Sequence, residues 1–441
     1  MSPAILDTTG REHAPVIDAR PAEPVPSRLV LFAFYFSLFA VPFDLLILPG
    51  VSDGSLVARV VDLFLLIAVV TQPRVCLRRM PAAYAAFIGY ALLRLAWGVL
   101  LTPELFGIWA PATRMFLRII LWSWFCYNLL QYPGTGRRGL WAFALGCTLC
   151  ACFHVLHIGT AEVGTEIDNR LTLFGENANN VAVTYAVALV ALAGAEMTGR
   201  RPSAWARPVA LCMLGLIGAG LVLTASRGGA LMASVGLLIL AIPLGPILVA
   251  ARRRSLLLLV VLVVGIAIAR NPVVVHRLEG GLASTGKLEL RARMYPILWE
   301  MYQRSPVYGS GPDGYMFEMT KRVRPTFARR GMWLPAHNLI LLMLVETGAL
   351  GLAIFLYGIA AALKAAWRAR TTQWELVPLA LLVSVMVFST FTGAPHYRKA
   401  FWLVVTYALA GGGREVALVA GRARRTDPAV PLYPEPETAH A

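Results

Sequence analysis

The chain has 441 residues, of which 58% are hydrophobic, and its mean hydropathy is +0.65. A soluble protein is nearer half apolar, so this excess, carried in long continuous blocks, excludes a soluble globular fold. The net charge is +16, from 40 Lys and Arg against 24 Asp and Glu. Because a hydrocarbon core of about 30 Å needs about 20 apolar residues per helix, the blocks predict an all-α polytopic integral membrane protein.

The predicted elements follow one another as a tail, membrane helices, one large loop, further helices and a second tail. Residues 1–27 are polar and Pro-rich and predict a disordered tail without a cleavable signal peptide. Residues 28–269 hold the apolar runs of transmembrane helices 1–9, and residues 337–420 hold helices 10–12. About twelve spans are therefore expected, with a large basic loop at 270–336 between them and a disordered tail at 421–441.

Basic residues near the ends of the spans predict the orientation, because Lys and Arg favour cytoplasmic connections. Arg-rich connections alternate with connections that carry little positive charge. The Arg-rich ones lie at 74–79, 136–138, 199–207, 252–254, 364–370 and 422–425. This alternation places both termini in the cytoplasm and the loop at 270–336 on the opposite, outer face.

The large loop breaks the charge rule. It carries eleven Lys and Arg against five acids, about +6, although long loops can translocate regardless of charge. A solvated surface on anionic lipid would account for the charge, and so would a pocket for a polyanionic ligand, since Arg binds two phosphate oxygens at once. Within the loop, residues 287–306 predict a helix along the membrane interface. Residues 307–315, "VYGSGPDGY", predict a turn and lack the strand and Lys of a nucleotide site.

Charged residues inside apolar runs are costly in a membrane and usually functional. Arg59 and Asp62 are spaced to pair with each other, whereas the sequence offers no acid beside Arg114 and Arg118. Two further intramembrane arginines are Arg94 and Arg227, the latter in "LTASRGGALMA" where flanking glycines allow close approach. We interpret the arginines as converging on an anion near the outer face, although some can snorkel to headgroups.

Another outer segment, "DNRLTLFGENANNVA", is polar. It contains Arg170 and the asparagines Asn177 and Asn179 just before an apolar helix. The asparagines can cap that helix, and their amides can also hold sugar hydroxyls.

The segment "CTLCACFHVLH" has the residue types of a possible metal site. Its Cys147, Cys150, His154 and His157 form one helical stripe. The outer pair lies about 15 Å apart along a helix, so the stripe cannot close around one ion and helix packing is the better interpretation.

The segment "HNLILLMLVETGALGL" begins as loop and continues as membrane helix. His337 and Asn338 stand where the apolar run begins, and Glu346 lies inside it. Glu346 is expected to pair within the helix bundle, and Asn338 to cap the helix or orient His337. Without further information, His337 is more readily interpreted as a residue at a helix cap than as a catalytic group.

These segments together resemble the bacterial O-antigen ligase family. The resemblance rests on "SRGG", the "R…G.N.N" segment, "LELRAR…P..G.GPDGY" and above all "HNL…ETGALGL", over about residues 165–355. The family shares a superfamily with O-antigen polymerases and protein O-oligosaccharyltransferases, and the resemblance implies a GT-C-like fold. This chain has Asn177-Ala178-Asn179 where the family often has Asn-Pro-Asn.

The resemblance implies transfer of an O-antigen glycan from undecaprenyl diphosphate to a sugar hydroxyl of the lipid A–core at the periplasmic face. It assigns His337 as the loop-end histidine, Arg227 as the turn arginine and Arg291, with Arg293 beside it, as the loop arginine. A histidine with a pKa near 6.5 suits a general base, and arginines suit the growing diphosphate charge. We also expect Arg118 and Arg170 to contribute, and we expect inverting, metal-independent transfer with no cofactor.

The expected partners are the lipid-linked donor, the lipid A–core acceptor and membrane lipids, with no nucleic acid, in the bacterial inner membrane. A polymerase would use the same donor with another lipid-linked glycan as acceptor, and a protein glycosyltransferase would use a protein acceptor. A transporter of the lipid-linked glycan is the alternative from a different class, although no internal repeat is visible.

Overall fold

The computed structural model describes residues 24–44, 46, 56–163, 170–198, 205–242, 285–323, 337–372, 374–390 and 395–412. The described part is predominantly helical and contains 14 α-helices. The first six helices are α1 (Arg28–Phe39), α2 (Leu56–Thr71), α3 (Pro73–Cys76), α4 (Ala82–Leu101), α5 (Phe106–Leu130) and α6 (Thr135–Val155).

Two strands, β1 (Thr160–Val163) and β2 (Arg170–Leu173), follow α6 and pair antiparallel, so the expectation of an all-α chain is wrong at this point. Both strands alternate side chains of different polarity over four residues, a pattern of period two that suits a half-exposed hairpin. This hairpin leads directly into α7.

The remaining helices are α7 (Ala178–Met197), α8 (Ala206–Leu223), α9 (Arg227–Leu240), α10 (Thr285–Arg304), α11 (Gly314–Val323), α12 (Leu339–Ala369), α13 (Val377–Ser389) and α14 (Lys399–Gly411). Helix α10 confirms the helix predicted at 287–306, and turns from Ser305 to Asp313 confirm the turn predicted after it. Side-chain caps begin four of the helices: Ser27, Asn177, Ser226 and Asn338 each accept a backbone N–H of the first turn.

Six of the described helices are long and apolar enough to cross a membrane, namely α4, α5, α6, α7, α8 and α12. Four shorter apolar helices, α1, α9, α13 and α14, accompany them. This architecture is that of a polytopic membrane protein. The total of about twelve spans stays a prediction, because residues 243–284 lie outside the described part, as do residues 1–23 and 413–441 with nearly all of the two predicted tails.

Side-chain contacts show which helix ends lie together. Helices α4 and α12 run antiparallel: the ring centroids of Phe87 and Phe355 are 5.6 Å apart, and further along Arg94 pairs with Glu346. Other pairs run parallel, for example α5 with α14, where Phe116 lies beside Trp402 and Ser123 beside Thr406. As a result, one end of the helix bundle contains the last turns of α4, α6, α8 and α13. The first turns of α5, α7, α9, α12 and α14 lie at the same end. Because the β1–β2 hairpin lies there too, we call it the hairpin end.

A second, smaller apolar cluster joins the described part of the large loop to the bundle. Side chains of α10, α11 and the first turns of α12 pack together in it, namely Met294, Leu298, Met301, Tyr315, Met319, Leu342 and Val345. Each buried CH₂ group contributes about 0.8 kcal/mol, so burial of this cluster is sufficient to hold α10 against α12. The loop helix is thereby fixed at the hairpin end.

Candidate functional site

A cavity of about 370 Å³ opens between the segment that follows α1, the hairpin, and helices α5, α6, α7, α13 and α14. Most of its lining is apolar, but four charged side chains reach it, Asp44, Glu176, Arg398 and Lys399. We call this space the paired-charge cavity, because its charges form two ion pairs. A mostly apolar cavity with a few placed polar groups is the usual form of a small-molecule site, and this volume is at the lower end of the usual range of about 300–1,000 Å³.

Each cation of the cavity contacts a carboxylate from a distant part of the chain. The Nη1 atom of Arg398 lies 3.0 Å from Glu176 Oε2, and Lys399 Nζ lies 2.6 Å from Asp44 Oδ1. Only 3% of the Lys399 side chain is exposed, so its ammonium needs this partner. Sequence reasoning missed all four residues. The available signal was the Arg398-Lys399 pair itself, two cations in a connection predicted to lie on the outer face.

The predicted asparagines and the turn arginine come together at the edge of this cavity. Asn177 caps α7, and Asn179 Oδ1 accepts the Ser226 hydroxyl at 3.0 Å, directly before Arg227. The neighbouring Asn180 donates its amide to Glu176 at 2.6 Å and lines the cavity. The start of α9, with the exposed Arg227, therefore borders the cavity through the Asn177–Asn180 turn.

The glycines beside Arg227 serve packing. A Cβ atom at Gly228 would lie 2.9 Å from the ring of Phe388, and one at Gly229 would lie 2.6 Å from the Ala182 side chain. The expectation that these glycines leave space for a ligand is therefore wrong, because neighbouring helices already fill that space.

Arg118 does have an acidic neighbour. Its Nη1 atom lies 3.3 Å from Asp62 Oδ2, on α2, so the expectation that no acid lies beside it is wrong. The pair joins two helices, and sequence spacing within one helix could not show it. Lys399 is also close enough to influence Asp62 electrostatically, so Arg118 belongs to the same charged region as the cavity.

His337 and Asn338 lie at the start of α12. Asn338 Oδ1 accepts the Leu341 N–H at 3.0 Å, which confirms the predicted cap. His337, half-buried, has φ = 54°, in the left-handed region that residues other than glycine seldom adopt. Such backbone strain clusters at functional positions, which makes this histidine a candidate on grounds independent of its chemistry.

Three predicted arginines can be placed by their backbone alone. Arg170 is the first residue of β2, and Arg291 and Arg293 lie in α10 within the three residues that precede Met294. Their side chains lie outside what the structure describes. Helix α10 packs through Met294 against the first turns of α12. Arg291 and Arg293 therefore belong to a helix that is held next to the start of α12.

Glu346 pairs inside the bundle, as predicted. Its Oε2 atom accepts Arg94 Nη1, and its Oε1 atom accepts the Asp313 N–H at 3.2 Å. The Asp313 carboxylate lies 3.8 Å from Arg94 Nη2, and Arg94 is fully buried. Burial raises the pKa of Asp313 above its usual value, while the Arg94 charge opposes that change. One buried arginine thus connects α4, α12 and the loop turn.

Backbone hydrogen bonds reinforce that connection. Helix α12 is interrupted at Gly348, and the turn after α10 fills the gap in its hydrogen bonding. The N–H groups of Ser310 and Gly311 donate to the carbonyls of Val345 and Glu346 at 2.8 and 3.0 Å, and Ala349 N–H donates back to Pro306. The loop turn is therefore bonded into the break in the helix that begins beside His337.

Tyr397 lies between the paired-charge cavity and the buried Arg94. It lines the paired-charge cavity, and its ring centroid lies 5.6 Å from the guanidinium carbon of Arg94. On α6, Cys147, Cys150 and His154 are buried, and Cys150 lines the cavity. Within the described residues, no group of three or more His, Cys, Asp or Glu could hold a metal ion.

The fold and site define a polytopic membrane protein whose polar chemistry is concentrated at one end of its helix bundle. Residues 209–356 match the family model described as O-Antigen ligase, and this match confirms the resemblance to the O-antigen ligase superfamily. The match covers about a third of the 441 residues and includes Arg227, Arg291, Arg293, His337 and Asn338. No curated protein matches the chain.

Proposed function

We propose that the protein transfers O-antigen glycan from undecaprenyl diphosphate to a sugar hydroxyl of the lipid A–core, at the periplasmic face of the inner membrane. The observation that carries the proposal is the family match. Within the matched residues, the helix that bears Arg291 and Arg293 packs against the first turns of the helix that starts beside His337. Arg227 and the asparagine turn lie at the same end of the bundle.

The reaction requires one proton transfer and one substitution. The acceptor hydroxyl oxygen attacks the anomeric carbon of the donor sugar, the bond from that carbon to the diphosphate oxygen breaks, and the lipid diphosphate leaves with the bonding electrons. His337 takes the hydroxyl proton as general base, a role typically worth about 10²–10⁴-fold in rate. Direct attack from the opposite side inverts the anomeric centre.

Positive charge stabilises the departing diphosphate. Arg227, Arg291 and Arg293 supply it, with Arg118 and Arg170 as further contributors, because preorganised cations at developing negative charge are usually the largest catalytic term. In this proposal the arginines take the place of a divalent metal ion. Asn177 and Asn179 offer amide groups to sugar hydroxyls, and Asn338 holds the helix start that positions His337.

The test is transfer in vitro. Purified protein is mixed with undecaprenyl-diphosphate-linked glycan and rough lipopolysaccharide, with a chelator present, and the lipopolysaccharide ladder is followed by gel. We expect wild type to form the ladder and His337→Ala to lower the rate by about 10²–10⁴-fold, because the general base is lost.

A matched control is His157→Ala. His157 also lies at the hairpin end, is exposed and has a left-handed backbone, φ = 56°. His157→Ala therefore shows how removal of an imidazole from such a position affects the rate of transfer. It should retain full transfer. Normal transfer by a well-folded His337→Ala protein would refute the catalytic role, and lengthened donor with unmodified lipopolysaccharide would identify a polymerase instead.

A further inference from the structure

Two carboxyl groups share one buried arginine where the loop turn meets α12. The Arg94 side chain is fully buried, the Glu346 side chain is 2% exposed, and the Asp313 side chain is 14% exposed. One guanidinium balances one negative charge, so two carboxylates here would leave a net negative charge in a space with little water. When two carboxyl groups share a site, their mutual repulsion keeps a proton on one of them to a pH well above the usual range.

Hydrogen bonds indicate which carboxyl group holds that proton. Glu346 Oε2 accepts Arg94 Nη1, and Glu346 Oε1 accepts the Asp313 N–H at 3.2 Å, so both of its oxygens face donors. Donors at both oxygens favour the ionised form. The Asp313 Oδ2 atom, in contrast, lies 3.8 Å from Arg94 Nη2 and has no hydrogen-bond partner among the described residues. The weaker contact makes Asp313 the group that keeps the proton.

Among the described residues, no second cation relieves this contact: the positive charge that acts on Asp313 comes from Arg94. Tyr90 on α4 and Tyr397 before α14 are close enough to interact with Arg94, and both are neutral near pH 7. His396 also faces Arg94, but it is fully buried and its ring nitrogens have no partner in the described part of the chain. These conditions favour the uncharged imidazole. One arginine thus serves both carboxyl groups.

Asp313 also seats the loop unit, by which we mean α10, the turn at 305–313 and α11. Its N–H donates to Glu346, and its carbonyl accepts two N–H groups in the first turn of α11. Its φ of 60° is left-handed, a conformation that a residue other than glycine keeps only where surrounding contacts hold it. Because the loop unit carries Arg291 and Arg293, the seat of Asp313 sets the position of these arginines relative to the start of α12.

We propose that Asp313 is a positioning residue that seats the loop unit against α12 as a neutral carboxylic acid rather than as a carboxylate in a salt bridge. The Glu346 carboxylate balances Arg94, and the proton on Asp313 removes the second negative charge from the contact. When that proton leaves, the contact becomes net negative and the loop unit loses its seat. This inference rests on the proposed function for the reaction that Arg291 and Arg293 serve.

Seating of the loop unit should weaken as pH rises. Burial raises the pKa of Asp313 above the value of a free aspartate, about 3.9, so the seated state holds a proton that the released state has lost. The seating equilibrium is therefore strongest below the free value, and it falls by up to about tenfold per pH unit until the pH passes the pKa of the seated carboxyl group. A salt-bridged carboxylate would have a lowered pKa, and seating would then weaken as pH falls.

Limited proteolysis of the full-length protein in detergent measures release of the loop unit. Between about pH 6 and pH 9, we expect trypsin to cut the wild-type loop unit up to about tenfold faster per pH unit. Asp313→Asn, whose amide resembles the neutral acid, should be cut slowly throughout. The ratio of the two rates at each pH cancels the pH dependence of the protease. Faster cutting of Asp313→Asn than of wild type at every pH, or wild-type release that increases as pH falls, would overturn the proposal.

Infrared spectroscopy locates the proton itself, because a protonated carboxyl group has a carbonyl band distinct from the bands of a carboxylate. The difference spectrum of wild type and Asp313→Asn at neutral pH should contain such a band. The band should shift when aspartate carboxyl groups carry carbon-13 and stay in place when glutamate carboxyl groups do. A band that shifts only with labelled glutamate would place the proton on Glu346, and either that result or the absence of a band would refute the neutral Asp313.

The matched control is Glu318→Gln. Glu318 also belongs to the loop unit, but its side chain is 38% exposed and pairs with Arg322 within α11. Its replacement should leave both the pH dependence of release and the infrared band unchanged. A change in either one would mean that the readout follows the charge of the loop unit as a whole and not the seat of Asp313.

The transfer assay separates this proposal from the proposed function. We expect wild type to lose kcat at high pH as the loop unit is released, and Asp313→Asn to retain transfer at the pH where wild type has lost it. Identical pH profiles of transfer in the two proteins would contradict the positioning role alone. Release of the loop unit and an infrared band as expected, without any transfer by wild type, would contradict the proposed function alone.

Discussion

At the scale of single residues, the buried Arg94–Glu346 pair explains why a membrane helix contains a carboxylate. Arg94 is fully buried on α4, and Glu346 is its closest carboxylate. Removing one member of a buried pair costs about 3–5 kcal/mol, because the other charge stays buried without compensation, whereas replacing both members costs much less. Arg94→Met and Glu346→Leu should therefore each lower the unfolding free energy by several kcal/mol, and the double variant that combines them should restore much of that loss.

Thermal and denaturant unfolding in detergent would measure the free energy of unfolding of wild type, both single variants and the double variant, which together form a double-mutant cycle. The pair Glu300–Arg304 on α10 provides the comparison, since both side chains are about half exposed, and Glu300→Gln should have a far smaller effect. Additive effects in the Arg94–Glu346 cycle would show that the two residues do not act as a pair.

At the scale of elements, Gly348 makes the break in α12 that receives the loop turn. Its φ of 66° and ψ of −169° belong to a region that is essentially restricted to glycine. A Cβ atom there would also collide with the Val307 carbonyl. Gly348→Ala should therefore release the turn at 306–311 from α12 and expose α10, and limited proteolysis should cut the loop much faster than in wild type.

Gly89→Ala is the appropriate control, because Gly89 lies within α4 and has no atom within 4 Å of its Cβ position. Alanine there favours the helix by about 1 kcal/mol and should leave the protease pattern unchanged. Slow cleavage in both variants would mean that the break in α12 does not hold the loop turn.

The same two scales show which features the sequence could predict. Hydropathy and cap residues predicted the helices, the loop helix α10, the cap at Asn338 and the pairing of Glu346, because each depends on local pattern or on the cost of an isolated charge. The ion pairs of the cavity escaped prediction since Glu176 and Arg398 are 222 positions apart, and Asp44 and Lys399 are 355. Arg118 appeared to lack an acid for the same reason: its partner lies on another helix.

At the scale of the whole molecule, helix direction concentrates polar chemistry at one end of the bundle. The hairpin, the paired-charge cavity, the Asn177–Asn180 turn, Arg227 and the start of α12 all lie at the hairpin end. The connection between α5 and α6 lies at the opposite end, beside the Arg137–Arg138 cluster. Since Arg-rich connections favour the cytoplasm, the hairpin end should face the periplasm, where a lipopolysaccharide acceptor would be met.

Cysteine labelling tests this orientation directly. Ala161→Cys places an exposed thiol on the hairpin, and Pro133→Cys places one in the connection between α5 and α6. A membrane-impermeant maleimide applied to spheroplasts should label Ala161→Cys at once and Pro133→Cys only after lysis, because the two positions lie on opposite faces of the membrane. The unmodified chain, with its own six cysteines, gives the background labelling. Immediate labelling of Pro133→Cys with protection of Ala161→Cys would reverse the orientation, and a periplasmic reaction at His337 would then be impossible.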